Sequence, residues 1–247
     1  LNRSVKLHYE DAMAHEKILI LESTWATEDA DYIRDSRSTA RIYLSFESLL
    51  SLHDKPVFAI HRPLLAARYV ADIKQFVSLP ANRAGPNLVI LSAHGSFRKT
   101  QKGNRLINRR RLHAIDGEVK LSKDIHSLRG KLARTVFILD ACEVGTRVSS
   151  FRKAAGALGA IGFSRSVDWV DSAAFILALL LRYQSEGVFQ IQQARRSKPA
   201  KVAQSMCKGA YRSLAKSLGV EMSFDNRSAQ PNPRLPRTRR RRAAGRR

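Results

Sequence analysis

Short apolar runs alternate along this chain with stretches whose apolar residues recur at helical spacing, the pattern of strands followed by covering helices. KILILES (17–23), PVFAIHR (56–62), NLVILSAHG (87–95), TVFILDAC (135–142) and AIGFSRS (160–166) are five strand candidates. The third and fourth are apolar without alternation, as strands buried on both faces are. Pro63 and the spacing of Leu64, Leu65, Ala67, Tyr69, Val70, Ile73, Phe76 and Val77 predict a helix directly after the second run. Further helices are predicted near 122–133, over FRKAAGALGA (151–160), over VDSAAFILALLLRYQ (170–184) with Gly187 ending it, and through about 198–218. This order predicts an α/β fold with a mostly parallel sheet flanked by helices.

Two segments break the alternation. From Phe97 to Arg111 the chain is polar and strongly basic, and RLHAIDGEVKLS (111–122) predicts a hairpin about Asp116-Gly117. From Asn226 the Pro, Ser, Asn and Arg content is that of a disordered tail. No internal repeat is present, and 44% hydrophobic residues in a chain of 247 can bury one sizeable α/β core. The expected organisation is one domain over 1–225 and an Arg-rich tail over 226–247.

The formal net charge is +23, and the eight arginines of PRLPRTRRRRAAGRR (233–247) account for 8 of it, leaving +15 on the remainder. A basic surface attracts nucleic acid, acidic membrane or acidic protein. No zinc-ligand spacing, aromatic RNA-binding signature or Gly-rich phosphate loop accompanies the charge, so nucleic acid is a partner that the charge permits and the motifs do not favour. Two cysteines, Cys142 and Cys207, are too few for a disulfide framework and fit a reducing, cytoplasmic setting. The first residues, LNRSVKLHYEDAMAHE, carry acids where a signal peptide is apolar, and AAFILALLL (173–181) is too short to span a bilayer. Neither export nor membrane insertion is expected.

The chemistry lies at two strand ends, where LVILSA runs into His94-Gly95 and VFILDA runs into Cys142. In an open parallel sheet the carboxyl ends of the strands share one edge, where ligand sites form. Neighbouring strands would bring His94 and Cys142 together there. An imidazole beside a thiol favours the nucleophilic thiolate and afterwards protonates the leaving amine. Gly95 lets a substrate backbone approach, and the amide N–H groups of Gly95 and Cys142 are candidate oxyanion donors.

A hydrophobic strand ending in His-Gly, followed 48 residues later by Cys142 in DACEVG (140–145), resembles the caspase-like superfamily of cysteine peptidases. That superfamily includes caspases, metacaspases, legumains, gingipains and bacterial CHAT proteases. GALGAIGFSRSVDWVDSAAFILALLLRYQSEG (156–187) is similar to the strand and helix that follow the cysteine in CHAT domains, and the resemblance covers roughly residues 15–190. It implies a caspase-like fold, a His94–Cys142 dyad and hydrolysis of peptide bonds in a protein or peptide substrate through a thioacyl-enzyme, with no metal or organic cofactor. It also implies that Asp140, two positions before the cysteine, lines the primary specificity pocket and favours Arg or Lys at P1. Ser164, Arg165, Ser166, Val167 and Asp168 would flank that pocket, and a regulatory protein partner is an expected trigger.

Other readings stay open beside these. Asp140 can simply cap the next helix or hold the turn, and Asp29, Asp31 and Asp35 read as an ordinary polar loop or as part of the pocket or a metal site. The basic stretch 98–111 is either a regulatory loop over the site or a solvated one. Cys207 and the remaining histidines, His8, His15, His53, His61, His113 and His126, read as structural or surface residues. No third residue orienting His94 is assigned. The rivals to a peptidase are a catalytically silent regulatory or scaffold domain and a thiol-dependent acyl transferase or esterase.

Overall fold

The computed structural model describes residues 16–23, 57–102, 105–190 and 197–225, with isolated helical positions at 42, 45, 48 and 49. The apolar runs become the strands β1 (Glu16–Glu22), β2 (Phe58–Pro63), β3 (Asn87–Ser92), β7 (Thr135–Asp140) and β8 (Gly159–Phe163), all parallel. A short strand, β9 (Val220–Phe224), joins antiparallel to β8 and completes a six-stranded sheet of order β2-β1-β3-β7-β8-β9. The fold is α/β, with a mostly parallel sheet flanked by helices, as the alternation predicts. Strand β9 was not foreseen, because VEMSF mixes polar and apolar residues and its half-buried place comes from pairing with Gly159–Phe163.

Both faces of the sheet are covered, and the strand alternation of period 2 divides its side chains between two cores. Ile18, Ile20, Leu88, Ile90, Ile138 and Ile161 pack on one face under α5 (Trp169–Ser185), α6 (Lys198–Lys208) and α7 (Arg212–Leu218). Leu19, Leu21, Val89, Leu91 and Phe137 pack on the other, under α1 (Tyr69–Ser78) and α4 (Val148–Ala155). Two short helices, α2 (Pro80–Ala84) and α3 (Leu121–Asp124), lie between those two in sequence. The rings of Phe137 and Phe151 meet edge to face at 5.1 Å, joining β7 to α4. Fully burying such a side chain contributes about 1.5–3 kcal/mol.

Several helix boundaries depart from the sequence pattern. Pro63 closes β2 instead of opening a helix, and α1 starts six residues later, after a turn whose amides at Ala66 and Ala67 donate to the Asp116 carboxylate. The helix expected near 122–133 is one turn of α3 continued by a 3₁₀ turn, Ile125–Leu128. The long helix expected through 198–218 is interrupted at Gly209 and Ala210 into α6 and α7.

The largest departure is the basic segment. It is neither loop nor solvated coil: β4 (His94–Lys102), β5 (Arg105–Ala114) and β6 (Gly117–Val119) form a separate three-stranded antiparallel sheet. Gly103-Asn104, a pair suited to a two-residue hairpin turn, lies between β4 and β5 in the sequence. The Ile115-Asp116 turn joins β5 to β6, close to the hairpin expected there. This second sheet is anchored by Leu112 and Val119, each 0% exposed, which enter the same core as Leu91 and Leu139. The tail from residue 226 lies outside the described residues.

Candidate active site

Strands β3 and β7 are hydrogen-bonded neighbours with Ser92 opposite Asp140, so their carboxyl ends share one edge of the sheet. Strand β3 ends at Ser92, three residues earlier than the sequence suggests, and His94 is the first residue of β4. Ala93 bridges the two sheets, its N–H donating to the Asp140 carbonyl at 3.1 Å. The histidine is thus carried by the small sheet and the cysteine by the turn after β7.

Gly95 locks these elements together. A Cβ at this position would stand 2.1 Å from the carbonyl oxygen of Cys142 and 3.0 Å from its nitrogen, so the two backbones touch. The missing side chain therefore admits the Cys142 backbone. His94, one residue earlier, comes to the same edge as the cysteine. In the ladder of the small sheet His94 stands opposite His113, and His113 opposite Glu118. Glu118 also pairs with Arg111.

The turn that carries Cys142 is tightly held. Glu143 has φ 59° and ψ −3°, the single left-handed non-glycine residue among the described residues. Such a conformation costs on the order of 1 kcal/mol and persists where neighbours over-determine it. The Glu143 N–H donates to the Arg165 carbonyl at 3.0 Å. Two residues on, a Cβ at Gly145 would lie 2.4 Å from the backbone of Gly162 and Phe163, so the turn is seated directly on β8.

Cys142 is partly exposed, and its sulfur faces the loop after β8. The Val167 N–H donates to Sγ at 3.5 Å, the thiol can donate to the Val167 carbonyl at 3.8 Å, and the Ser166 hydroxyl lies 3.9 Å away. Val167 is the most direct partner of the sulfur; the sequence could flag it only by its place between two polar residues in the strand-to-helix loop.

The other expected residues have identifiable places. Asp140 is 0% exposed and accepts a 2.9 Å hydrogen bond from the Ser92 hydroxyl, so in this conformation its carboxylate lies beneath the strand ends. Ser164 turns toward the chain before β9, its hydroxyl donating to the Gly219 carbonyl at 2.8 Å. Arg165 is exposed. Asp168 caps α5, its Oδ1 accepting from the Val170 N–H at 2.8 Å. Of the five loop residues, Ser166 and Val167 meet the sulfur, while Ser164 and Asp168 hold local structure.

Cys207, on α6, is half-buried against the core, and burial pushes its thiol up from the ordinary value. His61 pairs with Glu22 at 2.8 Å and His126 is exposed on the 3₁₀ turn. Asp29, Asp31, Asp35, His8, His15 and His53 lie outside the described residues. Among the described residues no group of His, Cys, Asp and Glu is arranged to hold a metal ion, and no helix is long and apolar enough to cross a membrane.

No protein-family model matches the chain, and no curated protein matches it. A secreted C11 cysteine protease from Bacteroides thetaiotaomicron, solved with an irreversible peptide inhibitor, is similar at 13% identity and a TM-score of 0.43, over 81% of this chain. The chain spans 59% of the length of that protease. A Geobacter sulfurreducens protein is similar at 14% identity and a TM-score of 0.39, over 85% of this chain and 92% of its own. At these scores neither likeness defines the chemistry.

Proposed function

We propose that the chain is a caspase-like cysteine peptidase in which Cys142 is the nucleophile and His94 its acid/base partner. The observation that carries this reading is the backbone contact between Gly95 and Cys142, which brings a histidine carried by one sheet to a cysteine carried by another. Two unrelated elements meeting through a glycine, at the edge where parallel sheets form their sites, are what a dyad requires and what a packing cysteine does not. The Val167 N–H directed at the sulfur adds to it by fixing the position of the sulfur at that edge.

In the proposed reaction the Cys142 thiolate attacks the scissile carbonyl and a tetrahedral intermediate forms, its oxyanion taken by the Gly95 and Cys142 amides. His94 then protonates the departing amine, and water activated by the same imidazole releases the acid product. His113, opposite His94 in the ladder, is the neighbour suited to orient the imidazole. A strained residue immediately after the nucleophile fits a preorganised turn. Asp140 is the acid suited to a basic P1 side chain; because it is fully covered beside Ser92, that contact needs the side chains over the strand ends to open.

The test is a matched fluorogenic peptide series differing only at P1, with Arg, Lys, Asp, Asn and Leu, run on wild type, Cys142→Ala, His94→Ala and Asp140→Asn. Both dyad variants should abolish turnover while retaining the wild-type circular dichroism spectrum. Basic P1 residues should be favoured about tenfold, and Asp140→Asn should remove that preference more than it lowers the rate. Turnover that survives Cys142→Ala would end the reading, and an acidic P1 preference would leave Asp140 as a structural group.

A further inference from the structure

A second concave site lies on the helical face, far from Cys142. A cavity of about 460 Å³ opens between the C-terminal end of α5, the first turns of α6 and the connection from α6 to α7. Helix α5 is 17 residues long and begins beside the Cys142 loop, so the cavity at its other end is roughly 25 Å away. Its volume suits a small organic ligand.

The lining is electrostatically one-sided. Arg182, Lys198 and Lys201 border the cavity with a single acid, Glu186. None of the three cations makes an ion pair or a side-chain hydrogen bond with another described residue. That excess of positive charge excludes a metal cation and disfavours a purely apolar guest, which would leave the cations uncompensated. Helix α6 points the same way: its first turn contains no acid, and Ser197 makes no side-chain cap bond. Pro199 has no amide N–H and the Lys201 N–H donates to the Ser197 carbonyl at 3.0 Å, so the helix adds its positive end to the three side chains. The Ser197 and Ser205 hydroxyls are further donors, and Tyr211 and Met206 supply an aromatic and an apolar wall.

Cations and donors that line the same hollow as an aromatic ring and a thioether match an anion joined to a flat, partly apolar body. We infer that this cavity is a binding site for a small phosphorylated ligand of nucleotide size, separate from the peptidase reading and independent of it. An extended nucleic acid fits less well, because a hollow of about 460 Å³ suits a small molecule.

The experiment is calorimetric titration of the full chain with ADP, and separately with inorganic pyrophosphate, at physiological ionic strength. Wild type should bind one ADP saturably. The double variant Lys198→Gln, Lys201→Gln should weaken ADP binding at least tenfold, and Arg182→Gln should weaken it independently, with thermal melts showing that both variants stay folded. Because the tail arginines are present in every variant, binding by the tail would be insensitive to these substitutions. Absent binding, or ADP affinity unchanged in both variants, overturns the site. Pyrophosphate binding as tightly as ADP overturns the nucleotide-sized class, since Tyr211 and Met206 would then contribute nothing.

Discussion

The two sheets meet at the candidate site and are built in opposite ways. The six-stranded sheet is apolar on both faces and carries Cys142 on a turn clamped backbone to backbone against β8 through Gly145 and Gly162. The three-stranded sheet is rich in Arg and Lys, reaches the core through Leu112 and Val119, and carries His94 at its root. In the proposed reading the nucleophile is carried by the central sheet, covered on both faces, and its partner by the small sheet, whose described core side chains include Leu112, Ala114 and Val119. The proposed dyad is then breakable from the histidine side at little cost in stability, whereas a change to the backbone seat of the cysteine turn should cost much more.

Alanine at the two close-approach glycines breaks the comparison most directly. At Gly145 the new Cβ meets main-chain atoms of two central residues at 2.4 Å, and neither can yield, so Gly145→Ala should lose about 3 kcal/mol or more in urea unfolding. At Gly95 the clash with the Cys142 carbonyl, at 2.1 Å, is formally worse. The small sheet can tilt away as a unit, however, so Gly95→Ala should lose only about 1–2 kcal/mol while abolishing turnover. Equal losses at both positions would mean that the two sheets form one rigid body and that the contrast drawn here is wrong.

The next contrast is between the two thiols. Cys207 is half-buried and its pKa is raised by desolvation, whereas the Cys142 sulfur receives the Val167 N–H and sits beside His94's strand. Iodoacetamide at neutral pH should label Cys142 at least about tenfold faster than Cys207 in folded protein, read by peptide mass. His94→Ala should slow Cys142 and leave Cys207 unchanged. Equal rates for the two thiols in wild type would remove the basis for an activated nucleophile.

The same division explains what could be read from the sequence. The central strands were legible because KILILE, NLVILS and TVFILD are apolar without interruption, a pattern that only a sheet covered on both faces satisfies. Cys142 and His94 stood out in the sequence by their places after such runs. The pairing of β4 with β5 was not legible, because Arg98 to Arg111 has the composition of a solvated loop and cross-strand pairing leaves no mark in composition, whereas the turn from β5 to β6 was expected close to where it lies. A glycine beside His94 signals a close approach, but only the fold shows that the Cys142 backbone is what approaches. Asp140 and Asp168 looked alike as acids near the site, yet a strand-end register buries one and a helix start employs the other as a cap.

The smallest expected effect separates the sheets by how they treat charge. Lys17, on β1, is 7% exposed and donates to the Ala81 carbonyl; burial first, and the nearby Arg134 charge second, lower its pKa to about 8. Arg111, in the small sheet, is paired with Glu118 and keeps its charge. Between about pH 8 and the ordinary lysine value of 10.5 the unfolded chain still holds the Lys17 proton and the folded chain has released it. The unfolded state then binds more protons, so this residue makes stability rise with pH across that window, and below about pH 8 its penalty is constant. Buried Tyr69 acts in the opposite sense at higher pH, since its raised pKa keeps it protonated when the unfolded chain ionises. Comparing each protein with its variant at the same pH cancels that contribution. Lys17→Met should accordingly be more stable than wild type by about 1 kcal/mol at pH 7 in urea unfolding, with the difference shrinking by pH 9.5. Arg111→Met should show no such pH-dependent difference, and a Lys17 difference that stays constant with pH would mean that the lysine is charged in the folded sheet throughout.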